Sequence, residues 1–228
     1  MHEYLEENKK FWEHGYYAPN VDHPVFRFYG RILKPVFKLN GEGGEFLLDY
    51  GCGQGAAVNY FSSLGFDAYG VDISETDLGI ASERYQQIGG KFREVSLIPS
   101  ATEKFFDGDF RIITAIQSLY YLSDTDLKVR MESIHANLAE GGIFFATMIG
   151  ESGGRHFDKS KPAGDGLRKV GTSSRSGEGH HYVNFTKDED HLCDKFEMFK
   201  PLHIGFYSDQ FRSDEGVSIH HTFVGVKK

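Results

Sequence analysis

The chain has 228 residues, a length that suits one domain, and its 39% hydrophobic content is enough for a packed core. The formal net charge of −8, with no basic stripe to offset it, argues against a nucleic-acid backbone as the main partner. No apolar run approaches the roughly 20 residues of a membrane span, and the two cysteines indicate no disulfide framework, so we expect a cytoplasmic protein without membrane association.

The N-terminal part of the sequence predicts two helices. A polar helix is expected over residues 2–14 and is followed by a break that contains glycine and proline. Pro24 then opens a second helix, because proline is best tolerated in the first helical turn. On that second helix Arg27 and Arg31 are four residues apart and therefore share one side.

The first glycine-rich stretch predicts a ligand-binding unit. A short apolar run at 46–48 indicates a buried strand, and a tight turn follows at Gly51, Gly53 and Gly55 before a helical pattern begins. A second strand ends at Asp72, about 20 residues beyond the first glycine. Such a strand, glycine turn, helix and strand binds a nucleoside at the helix N-terminus, and the acid accepts hydrogen bonds from the ribose diol.

Two classes of cofactor fit this pattern. The segment Gly51–Ala56 satisfies the dinucleotide fingerprint, so a nicotinamide-dependent oxidoreductase is one hypothesis. Asp49, two residues before the first glycine, would repel a pyrophosphate and favours a ligand with a positive or hydrogen-bond-donating group. Over residues 45–149 the sequence resembles the class I S-adenosylmethionine-dependent methyltransferases, whose first motif, acid-x-Gly-x-Gly-x-Gly, matches Asp49–Gly55.

This resemblance implies an α/β fold with a Rossmann-like, doubly wound, mostly parallel seven-stranded sheet and a C-terminal antiparallel hairpin. It divides the chain into an N-terminal helical cap at 1–40, a cofactor-binding core at 41–149, a substrate flap at 150–185, and a C-terminal helix and hairpin at 186–228. The implied cofactor is S-adenosylmethionine. Its implied contacts are Asp49, Gly51, Cys52, Gly53, Gly55, Asp72, Ile73, Ser96, Gln117 and Arg31.

Three of these contacts follow from positions further along the chain. Ser96 ends the third strand, predicted at 91–96, near the place where the family commonly has an acid that meets the adenine amino group. Gln117 follows a fourth strand predicted at 110–116 and resembles the residue that meets the methionine end of the cofactor. Arg31, or second Arg27, is the cation that the family often places against the methionine carboxylate. Two solvated surface arginines are the alternative interpretation.

Helix starts are predicted at two serines in the same region, Ser74 and Ser123, each followed after three residues by an acid. Between them, Tyr120 and Tyr121 directly follow the fourth strand and are expected to line the acceptor pocket, with core packing as the alternative for at least one of them. A fifth strand is predicted at 143–148.

The segment 151–180 differs in composition from the rest. It contains seven glycines and shows no sustained period, which predicts a long mobile connection. Six basic against four acidic residues give it a local positive excess, which predicts a flap that closes over an anionic acceptor. A disordered, solvated loop is the alternative. The expected acceptor contacts are Tyr16, Tyr17, Arg27, Arg168 and His180.

The C-terminal part predicts the closing hairpin of the fold. Residues 180–185 are expected to be extended, and Thr186 with Glu189 forms a capping box for a helix. Two strands are predicted at 202–207 and 217–226, which together form the antiparallel ending that the resemblance implies.

Methyl transfer to an oxygen or nitrogen of a small polar, anionic or sugar-like acceptor requires alignment of donor and acceptor, and a hydroxyl acceptor also requires a base. Histidine is the natural base near neutral pH, and two adjacent histidine pairs occur in the C-terminal half. The base candidates are His181 first, and then Tyr120, Tyr121 and His221.

No known metal-ligand spacing is present, so no metal is expected. A catalytically silent binding module with the same fold is a third hypothesis.

Overall fold

The computed structural model describes residues 2–15, 20–88, 90–151, 155–174, 177–208, 210, 212 and 217–228. The helices are α1 (Glu3–Gly15), α2 (His23–Phe28), α3 (Ala56–Ser63), α4 (Glu75–Arg84), α5 (Asp124–Asn137), α6 (Arg155–Asp158) and α7 (Glu189–Lys195). The strands are β1 (Phe46–Tyr50), β2 (Asp67–Asp72), β3 (Phe92–Glu94), β4 (Phe110–Ala115), β5 (Leu138–Ile149), β6 (Lys161–Gly164), β7 (Leu167–Ser174), β8 (Gly177–Asn184), β9 (Phe199–Ser208) and β10 (Ile219–Lys227).

Seven strands form one sheet in the order β3-β2-β1-β4-β5-β10-β9. Strands β1 to β5 are parallel, and β10 pairs antiparallel with both β5 and β9. The doubly wound sheet and the closing hairpin predicted from the sequence are confirmed. The strand order reverses between β1 and β4, and ligands of open α/β sheets bind at the carboxyl ends of the strands at that point.

The central strands are continuously apolar because the sheet is covered on both faces. Leu47 and Leu48 in β1, and Ile112 and Ile113 in β4, are fully buried. Leu47 and Ile112 pack with residues of α2, α3 and α4, whereas Leu48 and Ile113 pack on the opposite face with residues of α5 and α7. This layered core holds the ends of β1 and β4, and the turns that follow them, in one place.

The N-terminal cap consists of two helices, as predicted. Pro24 lies in the first turn of α2, and the chain continues from α2 into a π-helical turn at Tyr29–Leu33. None of the described helices is both long and apolar enough to cross a membrane. The segment boundaries at residues 40, 149 and 185 stay a prediction.

Two of the predicted helix caps are confirmed. Ser74 Oγ accepts a hydrogen bond from Asp77 N, and Ser123 Oγ accepts one from Asp126 N, each at 3.2 Å. Each serine thereby satisfies one of the backbone N–H groups that a helix leaves unpaired in its first turn.

The cap predicted at Thr186 is wrong. Thr186 N donates to Ile149 O at 2.8 Å, so the chain is still extended alongside the end of β5 at this residue. The cap of α7 is Asp188, whose Oδ1 accepts a hydrogen bond from His191 N at 2.9 Å. The long-range pairing of Thr186 therefore moves the helix start by two residues.

The long connection predicted over 151–180 has regular secondary structure in its described residues. The segment contains α6 and most of a three-stranded antiparallel sheet in the order β6-β7-β8. Gly164, Asp165 and Gly166 adopt positive φ and form the turn between β6 and β7, where an Asp-Gly pair favours a hairpin. Asp165 O also accepts a hydrogen bond from Asp124 N at 3.0 Å, which docks this turn on the start of α5.

Candidate functional site

A cavity of about 220 Å³ opens at the carboxyl edge of the main sheet, where β1, β2 and β4 end. This volume is many times the roughly 10–15 Å³ that a single water molecule requires, so a ligand fits. Its walls come from the three segments that follow these strands, 50–54, 72–74 and 116–118, and from both N-terminal helices.

The turn after β1 holds three glycines at positive φ, Gly51 at 75°, Gly53 at 48° and Gly55 at 79°. A Cβ on Gly51 would come 2.3 Å from Ser118 Cβ, and a Cβ on Gly55 would come 2.8 Å from the Phe92 ring. A Cβ on Gly53 would meet nothing within 4 Å, and this residue lines the cavity. Packing therefore requires the first and third glycines, whereas the second leaves the backbone open to a ligand.

Cys52 also lines the cavity, as predicted, and its turn is anchored on β2. The backbone N–H groups of Gly51 and Cys52 donate to Val71 O at 2.8 and 3.0 Å. The sulfur packs so closely on Gly70 that a Cβ there would come 2.7 Å from it. Burial raises the pKa of the Cys52 thiol, so the side chain serves packing and not nucleophilic chemistry.

Asp72 ends β2 beside the glycine turn. Its two carboxylate oxygens accept hydrogen bonds from Gly53 N at 2.8 Å and from Ser74 N at 3.0 Å. Burial raises the pKa of Asp72, and these amide donors oppose that increase. Because each carboxylate oxygen keeps a further lone pair, Asp72 has the capacity to accept two ligand hydroxyls. Ile73, next in the chain, adds an apolar side chain to the same wall.

Asp49 lies in β1 and is only 4% exposed. Burial raises the pKa of its carboxyl to about 7; the hydrogen bond from Thr114 lowers it, and the carboxylates of Asp72 and Asp22 raise it. The Thr114 hydroxyl donates to Asp49 Oδ1 at 2.7 Å. Because a nearby positive charge stabilises the ionised form of such an acid, the position favours a cationic ligand.

The charge balance of the cavity points the same way. Its described lining residues include four carboxylates and one cation: Asp22, Asp49, Asp72, Asp77 and Lys9. A wall with this excess of negative charge attracts cations and repels anions. No group of three or more histidine, cysteine, aspartate or glutamate side chains in the described ranges is placed to hold a metal ion. The described lining therefore favours a cationic ligand.

Gln117 follows β4 and lines the cavity, as the sequence predicted. Its backbone has a positive φ of 54°. Two hydrogen bonds hold the residue: Gln117 N donates to Thr147 Oγ1 at 2.8 Å, and Nε2 donates to the Tyr207 hydroxyl at 3.2 Å. Tyr207 lies on β9, so the closing hairpin reaches a residue of the cavity wall. No local sequence pattern marks Tyr207, because its partner is 90 residues away.

Ser96 does not line the cavity. Its side chain is exposed, while Val95 and Leu97 on either side contribute to the wall. Ser96 N donates to Glu103 Oε1 at 2.7 Å, and its carbonyl accepts from Arg130 at 2.8 Å. The predicted adenine contact at Ser96 is therefore not found, because extended residues alternate in direction and this one points outward.

Arg27 and Arg31 are exposed and do not line the cavity. The face of α2 and the π-helical turn that packs inward carries Val25, Phe28 and Leu33 instead. The predicted contact of either arginine with a methionine carboxylate is therefore not found, and the surface interpretation fits both side chains. The other predicted contacts of this region, Tyr16 and Tyr17, lie outside the described residues.

Of the two adjacent tyrosines, only Tyr121 lines the cavity. Tyr120 is buried behind it, with the two ring centroids 4.5 Å apart and the ring of His220 6.1 Å away. Tyr120 is thus a packing residue, which was the alternative interpretation, and Tyr121 is the tyrosine of the pair that a ligand can touch.

His181 is buried and stands behind Tyr121, at a ring-centroid distance of 6.1 Å, without lining the cavity. Its ring stacks on Phe11 at 4.3 Å. Burial lowers the pKa of His181 to about 4, and the neighbouring His156 and His180 lower it too. The imidazole is therefore neutral near pH 7 but is a weak base.

The remaining predicted residues serve other contacts. His180 Nε2 lies 2.8 Å from Glu7 Oε2 and joins β8 to α1. Arg168 donates to Ser160 Oγ at 2.6 Å, and its guanidinium covers a phenylalanine ring of α6. The imidazole of His221 lies against the backbone at Gly150, and burial lowers its pKa. None of these three side chains lines the cavity.

Asn8 is a cavity residue that the sequence did not indicate. It is buried, and its Nδ2 donates to Tyr121 O at 3.1 Å and to Tyr182 O at 3.0 Å. Its Oδ1 accepts from Tyr182 N at 2.6 Å. One amide thus joins α1, β8 and the segment after β4 on one side of the cavity, over sequence distances that no local pattern reveals.

Comparisons with known proteins agree with this geometry. The sequence family described as "Methyltransferase domain" matches residues 21–208. A ubiquinone biosynthesis O-methyltransferase from Methylococcus capsulatus is 30% identical over 109 residues, which cover 46% of this chain and 44% of that protein. The chain spans less than half the length of the curated relatives it matches.

Solved structures share the fold at lower identity. An S-adenosylmethionine-dependent methyltransferase from Methanosarcina mazei has a TM-score of 0.67 and 14% identity, over 85% of this chain and 97% of that one. A glycopeptide N-methyltransferase, solved with S-adenosylhomocysteine, has a TM-score of 0.65 and 14% identity, over 95% of this chain and 93% of that one. At such identities the likeness concerns the fold alone.

Proposed function

The chain belongs to the methyltransferase-domain family, and on this premise we propose that it transfers a methyl group from S-adenosylmethionine to a small polar acceptor. The observation that carries the proposal is the meeting of three features in one cavity: the open backbone at Gly53, the Asp72 carboxylate and the buried carboxyl of Asp49.

The residues of the cavity fit this cofactor. Asp72 would hold the ribose hydroxyls, Gly53 leaves room beside the backbone, and Asp49 favours the cationic end of the molecule. A pyrophosphate would meet the same carboxylates and be repelled, which opposes a nicotinamide dinucleotide. When bound, S-adenosylmethionine supplies a methyl group on a positively charged sulfur.

The chain's own contribution to the reaction is positioning. Tyr121 and Asn8 lie on the wall formed by α1 and the segment after β4, next to the apolar side chains of Leu5 and Leu122. Walls that orient an acceptor and exclude water provide most of the acceleration in a displacement of this kind. An amine acceptor then needs no base from the protein once its nitrogen is unprotonated, whereas a hydroxyl acceptor does.

We infer that the acceptor is a neutral or amine-bearing polar molecule, including sugar-like compounds. The carboxylates that line the cavity repel an anion, and Arg168, one of the expected acceptor contacts, is engaged by Ser160 and an aromatic ring. Curated relatives named as an O-methyltransferase and as a phosphoethanolamine N-methyltransferase leave both acceptor atoms open.

Titration calorimetry with S-adenosylmethionine and with NAD tests the cofactor, and binding of NAD alone would overturn the proposal. Conversion of S-adenosylmethionine to S-adenosylhomocysteine, followed by mass spectrometry with an amino alcohol, a hexose and a hexose phosphate, tests the acceptor class. We expect the hexose phosphate to be the poorest of the three. Cofactor binding without turnover for any acceptor would instead favour a catalytically silent binding module.

A further inference from the structure

The C-terminal hairpin places one hydroxyl next to the cavity wall. Tyr207 on β9 is only 5% exposed, and its hydroxyl is the acceptor for Gln117 Nε2 at 3.2 Å. The Tyr207 ring is stacked on His220 at 5.0 Å and meets the edge of His23 at 4.5 Å. Contacts on two sides of the ring hold this hydroxyl at a defined point.

Gln117 is held equally firmly at its backbone. The residue has a positive φ of 54°, and its N–H donates to Thr147 Oγ1 at 2.8 Å. A side-chain amide presents either two donors or one acceptor oxygen to a ligand, depending on which way it is turned. A phenol hydroxyl can donate or accept; here it accepts from Nε2, so the nitrogen faces the hairpin and Oε1 is directed away from that hydroxyl.

The surroundings indicate which ligand group this oxygen would meet. Ser118 Oγ donates to Tyr50 O at 3.0 Å, so the segment that carries Gln117 lies against the end of β1, next to the buried carboxyl of Asp49. Asp49 in β1 and Gln117 in the segment after β4 both line the cavity. An amide oxygen together with a carboxylate suits a hydrogen-bond donor with positive charge. In S-adenosylmethionine the group with both properties is the methionine ammonium.

We propose that Tyr207 is a positioning residue for the cofactor, because it turns the Gln117 amide so that Oε1 accepts a hydrogen bond from the methionine ammonium. This inference rests on the proposed function. It gives the closing hairpin, a distant part of the chain, a direct role in cofactor affinity.

The test is titration calorimetry with three probes, S-adenosylmethionine, S-adenosylhomocysteine and 5′-methylthioadenosine, of which the last has no amino-acid end. Tyr207→Phe removes only the hydroxyl and should weaken the first two probes about 3- to 10-fold, the usual range for one hydrogen bond. The affinity for 5′-methylthioadenosine should stay unchanged. Tyr69→Phe is the matched control, since it deletes a hydroxyl that donates to Asp67 at 3.2 Å on β2 outside the cavity lining.

A second pair of variants isolates the orientation of the amide. In Gln117→Glu both side-chain oxygens are acceptors, so the orientation no longer matters, and adding Tyr207→Phe should then change the affinity less than about 2-fold. The inference is overturned if Tyr207→Phe leaves S-adenosylmethionine affinity unchanged, weakens 5′-methylthioadenosine equally, or acts with full strength in the Gln117→Glu background. If Tyr207→Phe does not fold, the affinities of Gln117→Ala and Gln117→Glu are compared instead. Only the alanine variant should lose affinity for the two probes that carry the ammonium. Equal affinity of both variants overturns the inference. Failure of the unmodified protein to bind any of the three probes would instead refute the proposed function.

Discussion

The pH dependence of cofactor binding provides a direct test of the site, because Asp49 is poised to titrate near neutral pH. Burial raises the pKa of this carboxyl to about 7 in the ligand-free protein. A cationic ligand beside it stabilises the ionised form and lowers that pKa. Binding is therefore coupled to release of a proton, and affinity should rise with pH up to the ligand-free pKa and level off above it.

The size of the effect follows from the ionised fraction of Asp49. With a pKa of about 7, the ligand-free carboxyl is about 9% ionised at pH 6.0 and about 76% ionised at pH 7.5. If only the ionised form binds well, the affinity for S-adenosylmethionine increases about 8-fold between these two values. Near pH 7, binding should release about half a proton per site.

The assay is titration calorimetry at both pH values, repeated in buffers of different ionisation enthalpy to count protons. Asp49→Asn is the matched control, because an asparagine oxygen still accepts the hydrogen bond from Thr114, while the titrating charge is gone. The pH dependence of affinity in this variant measures the contribution of the ligand and of all titrating groups other than Asp49. Equal pH dependence in the native protein and in Asp49→Asn would refute the reasoning, as would a flat affinity in the native protein.

Four further outcomes are expected. Asp72→Ala should weaken S-adenosylmethionine binding by about 1–3 kcal/mol in calorimetry, with circular dichroism unchanged, because it leaves two buried hydroxyls unpaired. Gly53→Val should abolish binding, whereas Gly44→Val, also at positive φ with open space around it, should cost similar stability and leave affinity intact. His181→Ala should retain cofactor affinity and lower turnover less than about 10-fold, since its pKa of about 4 makes it a weak base; a loss of 100-fold or more would identify it as the base. Ligand-free Asp49→Asn should be more stable than the native protein in chemical denaturation, because the folded-state pKa is raised: the difference should grow from about pH 4, reach at most about 4 kcal/mol near pH 7 and stay level above it.

The glycine turn and the two acids of the site could be predicted because their signals are local in sequence. Asp49, the glycines that follow it and Asp72 lie within one strand, turn, helix and strand, whose spacing is set by the geometry of that unit. The caps at Ser74 and Ser123 are local for the same reason, since a serine hydroxyl reaches the N–H three residues ahead. Such features need no knowledge of the remaining chain.

The other parts of the site depend on contacts between distant residues, and there the predictions failed. Asn8 bonds to Tyr182 and Tyr207 to Gln117 across more than half and more than a third of the chain, respectively. The glycines of 151–180 predict a mobile connection, whereas Asp165 and Gly166 form a hairpin turn. The direction of the Arg31 side chain likewise could not be predicted, because it depends on which face of the segment packs against the rest of the chain.

Three departures from ordinary packing meet at the same cavity. The carboxyl of Asp49 is buried, which opposes its ionisation. Gly53 has a positive φ and open space where a Cβ would lie, and Gln117 is a non-glycine residue with a positive φ. In the described part of the chain, the other two non-glycine residues with positive φ, Lys38 and Asp165, lie in exposed turns. The buried carboxyl of Asp49 and the positive φ of Gln117 cost stability in the ligand-free protein, whereas glycine adopts a positive φ without strain. Features of this kind persist where a ligand compensates them, and a cation beside Asp49 would compensate its buried charge. Asp49 and Gln117 therefore lower the stability of the ligand-free protein and, under the proposed function, bind the cofactor. The ends of β1 and β4 hold them in place.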